Sequence, residues 1–328
     1  MDTTFNANTG HNDVTPGYQG YGAYDHVYAL NVLPSTGQIL AAGTAAASEP
    51  TRIDTLMGLV RLNGNGTTDN SFGSFGQAMV AFPLNGGNDA TAYALAVDSQ
   101  YRILLGGSAT VGTGTSAITN FATVRFTSAG VVDSCSAQST SYPCTYTYSF
   151  HLGGKFNNDV SDVRVDQAGK VYLIGTSSAA TDTGGNDLRK TSVLRLTDQF
   201  QLDPTYNPSA GHESFFMDSG FVGESDEQPS GLIDPKNRLM LTGGSSSVNV
   251  ARFIQNGVFD AYDNGSVRSG IVSALPSSNG AYLSGQPRLL LDGDRPVVAA
   301  LTGANGGSTY ALKITRLLGD RIFRNGFE

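Results

Sequence analysis

The feature that most constrains this chain is a short frame that returns along its length. At Gly58–Asp69 it reads GLVRLNGNGTTD: an apolar run carrying Arg61, a polar turn, then Asp69 eight residues after the arginine. The frame recurs as TVRFTSAGVVD (Arg125, Asp133), VLRLTDQFQLD (Arg195, Asp203) and VARFIQNGVFD (Arg252, Asp260). A fifth, degraded copy reads LKITRLLGD (Lys313, Asp320). Self-similarity at a fixed period decides the architecture before any single residue does, because each copy is one supersecondary unit.

A second anchor runs in step with the first. It is a strand, a tight turn and a second strand: ALNVLPSTGQILAAG, ALAVDSQYRILLGG, DVRVDQAGKVYLIG, GLIDPKNRLMLTG and LLLDGDRPVVAAL. The turn residues are Pro34, Asp98, Asp166, Asp234 and Asp292, spaced by 64, 68, 68 and 58 (98−34, 166−98, 234−166, 292−234). The second strand is expected to end nine residues on, at Gly43, Gly107, Gly175, Gly243 and Leu301. Alternating apolar residues between turn signals predict strands throughout, and no segment shows an amphipathic helix. In the second copy the strands are placed at Thr91–Val97, Arg102–Gly107, Asn120–Phe126 and Tyr146–His151.

Four strands per unit, five times, is the arithmetic of a five-bladed β-propeller. The expected fold is therefore all-β: one propeller domain over 1–328, four antiparallel strands per blade. The blades fall near 22–85, 86–152, 153–218, 219–276 and 277–319 plus 2–21, followed by a tail at 320–328. Six blades with one irregular, or a β-solenoid, are the alternatives; a solenoid needs shorter coils. The ends suit closure. Asp2-Thr3-Thr4-Phe5-Asn6 matches Asp69-Asn70-Ser71-Phe72-Gly73, the tail of a copy, while the last copy stops after its third strand, Tyr310–Thr315. An N-terminal strand that completes the last blade would hide sheet edges that otherwise invite aggregation.

Composition fits this reading and removes some functions. The 41 glycines lack a collagen period and mark many tight turns. A net charge of −8, with basic residues scattered, excludes a nucleic-acid footprint. No apolar run approaches a membrane span. Met1 leads straight into Asp2-Thr3-Thr4-Phe5, so the sequence as written carries no signal peptide. The expectation is either a cytosolic protein or an exported one whose leader has been removed. Cys135 and Cys144 sit nine apart in the polar insertion DSCSAQSTSYPC. Such a loop is expected to close as a disulfide, which needs an oxidising compartment. That favours an extracellular, periplasmic or cell-surface location.

RLNGNGTTDNSFG, with ILLGGS upstream of the next copy's arginine, resembles the delta-60 repeat, a family of bacterial β-propeller repeats. The resemblance is close over 37–44 and 58–73, fair over 101–133 and 169–203, weak over 237–260 and poor over 294–320. It implies a secreted or envelope-exposed propeller and no catalytic residue. The last nine residues, Asp320–Glu328, also resemble a short C-terminal tail on exported proteins of some gammaproteobacteria.

A residue repeated once per blade serves the blade. Arg61, Arg125, Arg195 and Arg252 are expected to fork onto Asp69, Asp133, Asp203 and Asp260 or onto nearby carbonyls. The turn aspartates Asp98, Asp166, Asp234 and Asp292 are expected to accept bonds from their own turns. Asp292-Gly293-Asp294 lacks the later carboxylate of a calcium loop.

The residues just before each first strand are the candidates for chemistry, since the first strand of a propeller blade lines the channel. They are Asp25 and His26, Asn88 and Asp89, Asn158 and Asp159, and Asp226, Glu227 and Gln228, with Ser284 and Gln286 in the fifth copy. Acids gathered at one mouth would raise one another's pKa or hold a cation, for which Ca²⁺ is the natural choice. Asp25, Asp89, Asp159 and Glu227 are thus candidate metal ligands. With His26 they are also candidate acid/base residues for a polysaccharide hydrolase of the kind found among five-bladed glycosidases. The bland alternative is that these acids are solvated and unrelated.

Among the histidines, His11, His26, His151 and His212 show no zinc spacing. Tyr18, Tyr21, Tyr24, Tyr142, Tyr146 and Tyr148 suit packing better than sugar stacking. The reading is a monomeric, exported binding or surface-interaction module, with a glycan, protein or divalent cation as ligand and no resident cofactor beyond that ion. A hydrolase and a purely structural repeat protein are the alternatives.

Overall fold

A computed structural model of the chain describes residues 4–6, 11, 12, 14, 25–49, 52–137, 140–153, 157–181, 187–207, 211–215, 228–245, 247–260, 271–275, 281–283, 286–293, 295–304 and 310–317. The chain divides into two compact units, Met1–Ser149 and Phe150–Glu328.

The first unit holds two four-stranded antiparallel sheets. One runs β1 (His26–Val32), β2 (Ile39–Glu49), β3 (Arg52–Leu62), β4 (Gln77–Val80) in that order. The other contains β5 (Ala90–Val97), β6 (Ile103–Val111) and β7 (Ile118–Phe126). A small hairpin follows, β8 (Ser134–Ala137) with β9 (Thr140–Pro143), and then β10 (Thr145–Tyr148) pairs with β7. Leu40, Met57, Leu59, Phe72, Ile103, Leu105, Val124 and Phe126 form one buried cluster in this unit. Burial of such side chains contributes ~1.5–3 kcal/mol each.

The second unit repeats the pattern. Its first sheet is β11 (Asn158–Val165), β12 (Val171–Thr181), β13 (Asp187–Leu196) and β14 (His212–Phe215). Its second is β15 (Ser230–Ile233), β16 (Leu239–Gly243), β17 (Val248–Phe253) and β18 (Ile271–Leu275). In the last sheet β19 (Ala281–Leu283) and β20 (Arg288–Asp292) both pair with β21 (Arg295–Ala304), which also pairs with β22 (Tyr310–Arg316). The helix described is a single 3₁₀ turn, Gly114–Ser116. No helix among the described residues is long and apolar enough to cross a membrane.

The structure departs from the sequence expectation at the strand ends and in the last sheet. Gly243 ends β16 as expected, but Gly43, Gly107, Gly175 and Leu301 do not end their strands; β2, β6, β12 and β21 run on past them. Gly43, Gly107 and Gly175 each lie where the first strand bulges, with register shifts at Val27/Ala29, Ala92/Ala94 and Val160/Asp162. A Cβ there would overlap the carbonyl of His26, Thr91 or Asp159. The repeat therefore keeps glycine because the bulged strand comes too close for any side chain. The fifth arginine frame is also shifted. Arg61, Arg125, Arg195 and Arg252 lie opposite Leu40, Leu104, Tyr172 and Met240, each one residue past the partner of the strand end before the turn. In the last sheet Leu291 faces Pro296, so this place falls to Val297 and its partner Arg316, not to Lys313.

Neighbouring sheets are latched by the same three contacts in both units. Arg61 Nε donates to Asp69 at 2.8 Å, its guanidinium lies 4.4 Å from the centre of the Phe72 ring, and Nη1 donates to Ser128 O in the next sheet at 2.5 Å. Gly73 N then donates to Ala129 O at 2.7 Å, and a Cβ on Gly130 would press the Phe72 ring at 2.8 Å. In the second unit Arg195 pairs with Asp203 at 2.7 Å, lies 4.6 Å from the Tyr206 ring and donates to Gln255 O. Asn207 N donates to Asn256 O at 2.6 Å, and Tyr206 fills the space a Cβ on Gly257 would take. Gly130 and Gly257 have φ of 80° and 79°, so the turn that receives the ring is glycine's own.

Replacing Gly107 by alanine forces the β5 bulge away from β6 and is expected to cost about 1–3 kcal/mol. Urea titration of the variant measures this; an unchanged midpoint would remove the packing explanation.

Candidate functional site

The residues at the heads of the first strands are held in place by the strands beside them. Asp25 Oδ1 accepts from Ala46 N at 2.8 Å. Asp89 Oδ1 accepts from Thr55 N at 3.1 Å and from Thr55 Oγ1 at 3.3 Å. Ala46 and Thr55 face each other across β2 and β3, so both carboxylates are fixed to one rung of the first sheet. Asn88 Nδ2 donates to Asp54 Oδ2 at 3.0 Å on the next rung. In the second unit Asp159 pairs with Arg189 at 3.0 Å. Gln286 donates to Ser161 O and Pro229 O at 3.0 and 2.9 Å. Asp226, Glu227 and Ser284 lie outside the described residues.

Asp25, Asp89 and Asp159 thus each have a partner on a neighbouring strand. Among the described residues no group of three or more His, Cys, Asp or Glu stands together in a way that would hold a metal ion. His26 is exposed, with its ring 6.0 Å from Tyr28. His11 accepts on its carbonyl from Asn6. His151 lies past the end of β10, with φ of 48°, rather than in a strand. The His212 ring packs edge-on to Phe150 at 5.4 Å, and burial lowers its pKa. Tyr146 and Tyr148 sit on β10, where burial raises their pKa values; Tyr18, Tyr21 and Tyr24 lie outside the described residues.

The repeated charges hold the scaffold. Asp98 Oδ1 accepts from Gln100 N and Arg102 N at 2.9 Å. Asp166 accepts from Ala168 N and Lys170 N, and Asp234 from Lys236 N and Arg238 N, in the same way. Asp292 pairs with Arg316 at 2.8 Å instead. Arg125 pairs with Asp133 at 2.7 Å and Arg252 with Asp260 at 2.5 Å. In the second copy no aromatic ring follows Asp133. The Cys135–Cys144 disulfide takes that place, with Arg125 Nη2 at 3.4 and 3.3 Å from its two sulfurs.

What the sequence reading missed is the residue at each bulge. These are Tyr28 in β1, Tyr93 in β5 and Ser161 in β11, each four residues before its strand end at Val32, Val97 and Val165. Ser161 is buried and its Oγ donates to Pro229 O at 2.6 Å, binding β11 to the strand beside it. Asp162 next to it is also buried; burial pushes its carboxyl up, against the pull of Arg164 and of Gly231 N. In the first unit the same position carries two tyrosines, 5.1 Å between ring centres and 64° between planes. The signal was legible: VYALNV and AYALAV share Tyr-Ala-Leu at matched register.

No protein-family model matches the chain, and no curated protein matches it. Solved structures do. An exo-1,5-α-L-arabinanase from a bovine ruminal metagenomic library is 10% identical with a TM-score of 0.40, covering 91% of this chain and 95% of that one. An α-L-arabinanase of Cellvibrio cellulosa, complexed with arabinohexaose, is 11% identical with a TM-score of 0.35, covering 89% and 92%. A GH32 β-fructofuranosidase of Bombyx mori is 10% identical with a TM-score of 0.38, covering 86% of this chain but 58% of its own. At these scores the likeness says nothing about the chemistry of this chain.

One charge has a measurable acid signature. Burial works to raise the Asp203 carboxyl, but Lys170, Thr205 and Arg195 hold it down, from 3.8 to about 2. A folded-state pKa below the unfolded one gives stability that is full above about pH 4 and is lost as pH falls through about 2. Unfolding free energy is therefore expected to drop between pH 4 and pH 2, and to drop less in Asp203→Asn. Equal acid slopes in the two proteins would rule this out.

Proposed function

We propose that the five sheets are the blades of a five-bladed β-propeller, that residues 2–14 complete the last of them, and that the protein is an exported binding module. Closure is supported by an internal match. DTTFNANTGHNDV (2–14) aligns with DPTYNPSAGHESF (203–215), which holds the tail and fourth strand of the third sheet. Asn6 Nδ2 donates to His11 O at 2.7 Å, as Asn207 Nδ2 does to His212 O at 2.8 Å. Asn6 N donates to Asn65 O at 2.6 Å, as Asn207 N does to Asn256 O. Phe5 fills the space of a Cβ on Gly66, as Tyr206 does at Gly257. Val14 lines a cavity of about 140 Å³ with Leu62. Four sheets carry a fourth strand beside the third. In the last sheet β22 pairs with β21, and Tyr310, Leu312 and Ile314 are 53%, 69% and 65% exposed. Residues 11–14 are the segment of matching type.

Export is supported by the Cys135–Cys144 disulfide, since such bonds persist in oxidising compartments. The observation that carries binding over hydrolysis is the use made of the lead-in acids. Asp25, Asp89 and Asp159 each hold a strand end. A glycosidase needs two carboxyl groups facing each other across an open cleft, ~5–10 Å apart.

Deleting residues 2–14 is expected to lower the melting temperature by several degrees, with recovery when the same peptide is added in trans. An unchanged melt would overturn closure. For function, the protein is expected to retain on immobilised polysaccharides while releasing no reducing ends from them. Reducing-end release that Asp25→Asn or Asp89→Asn abolishes would replace the binding reading with a hydrolytic one.

A further inference from the structure

We infer that Arg316 fastens residues 2–14 as a strap, with Asp2 as its carboxylate and Phe5 as its ring; this rests on the closure reading above and names the contact that secures it. The latch repeated along this chain has a fixed layout. An arginine in the third strand meets an aspartate eight residues on, a ring three residues after that aspartate, and a carbonyl of the next sheet. Arg61, Asp69, Phe72 and Ser128 O make one set; Arg195, Asp203, Tyr206 and Gln255 O make another. In both, the residue after the ring donates its N–H to the following carbonyl, Gly73 to Ala129 O and Asn207 to Asn256 O. The ring then lies against the glycine one residue further, Gly130 or Gly257.

Phe5 stands in a third socket of this kind. Its ring fills the space of a Cβ on Gly66, whose φ is 83°, and Asn6 N donates to Asn65 O. Asp2 precedes Phe5 by three residues, as Asp69 precedes Phe72 and Asp203 precedes Tyr206; it lies outside the described residues. The arginine that suits this set is Arg316, which holds the register place of the repeated arginine in the last sheet. Eight residues past it the sequence has Arg324, so its own tail offers no carboxylate at the repeat spacing. Its side chain is 56% exposed, against 11%, 3%, 3% and 5% for Arg61, Arg125, Arg195 and Arg252. It pairs with Asp292, itself 50% exposed, and a pair so open to water adds little. The turn aspartates Asp98 and Asp234 pair instead with the arginine four residues on. The planar fork of Arg316 can take a carboxylate on one side and a carbonyl on the other. By register that carbonyl is Gly64 O, three residues past Arg61, as Ser128 and Gln255 are three past Arg125 and Arg252. The rival acid is Asp320, four residues past Arg316 where the other copies have eight.

The test is a double-mutant cycle on the full chain, read by thermal melting. Arg316→Ala and Asp2→Asn are each expected to lower the melting temperature by about 4–8 °C, and the double variant to lie no lower than the worse single one. Asp292→Asn and Asp320→Asn should stay within about 2 °C of the parent. Additive losses, or a loss on Asp320→Asn in place of Asp2→Asn, would overturn the latch. Deletion of residues 2–14 separates this from the reading beneath it. A melt lowered by the deletion but not by Arg316→Ala would overturn the latch and leave closure standing. A melt unchanged by the deletion would overturn both. Should Arg316→Ala fail to fold, Asp2→Asn beside Asp320→Asn decides: a loss confined to Asp2→Asn supports the latch, and equal melts overturn it.

Discussion

A guanidinium clasped by a carboxylate, an aromatic ring and the carbonyl of a neighbouring sheet is the contact on which this architecture depends. Arg61 and Arg195 each make all three. Both arginines are almost wholly buried, as is Asp203. Charges so placed are tolerable only when they are paired, because an uncompensated buried charge costs about 3–5 kcal/mol. The planar fork of arginine can answer on two sides at once, which lysine cannot. That makes the contact directional. It ties the third strand of one sheet to its own tail, and the tail to the next sheet. Where the ring is missing after Asp133, a disulfide fills the same space under Arg125.

The second constraint is the bulge opposite the repeat glycine. It costs a side chain on β2, β6 and β12, and in return places one residue of each first strand outside the ladder. The scaffold sets where that residue stands, and the sequence sets what it does. Serine there bonds the adjoining strand, and the two tyrosines meet edge-on and join β1 to β5.

Three of the acids before the first strands have partners of their own. Their register along the sequence suggested a ring of negative charge. In the structure, Asp25 and Asp89 accept from the N–H groups of one rung, and Asp159 faces Arg189. A hydrogen bond from a backbone N–H fixes a strand end, and an arginine nearby neutralises the acid. Both uses are invisible in a string of letters, because the partners Ala46, Thr55 and Arg189 are 21, 34 and 30 residues away.

The sequence by itself determined the strands, the turns, the pairing of each repeated arginine with the aspartate eight residues on, and the closure of Cys135 with Cys144. All of these are local: they follow from alternation, turn chemistry and short spacings. It misplaced the fifth arginine frame, where Arg316 and not Lys313 takes the register place, and it took Gly43, Gly107, Gly175 and Leu301 for strand ends. Only the tertiary structure decided that those glycines face a bulge, that Phe72 and Tyr206 enter the turns of the next sheet, and that Tyr28 meets Tyr93. Each of these joins residues far apart in the chain, and the approach of one backbone to another is a property of packed sheets, not of the order of residues.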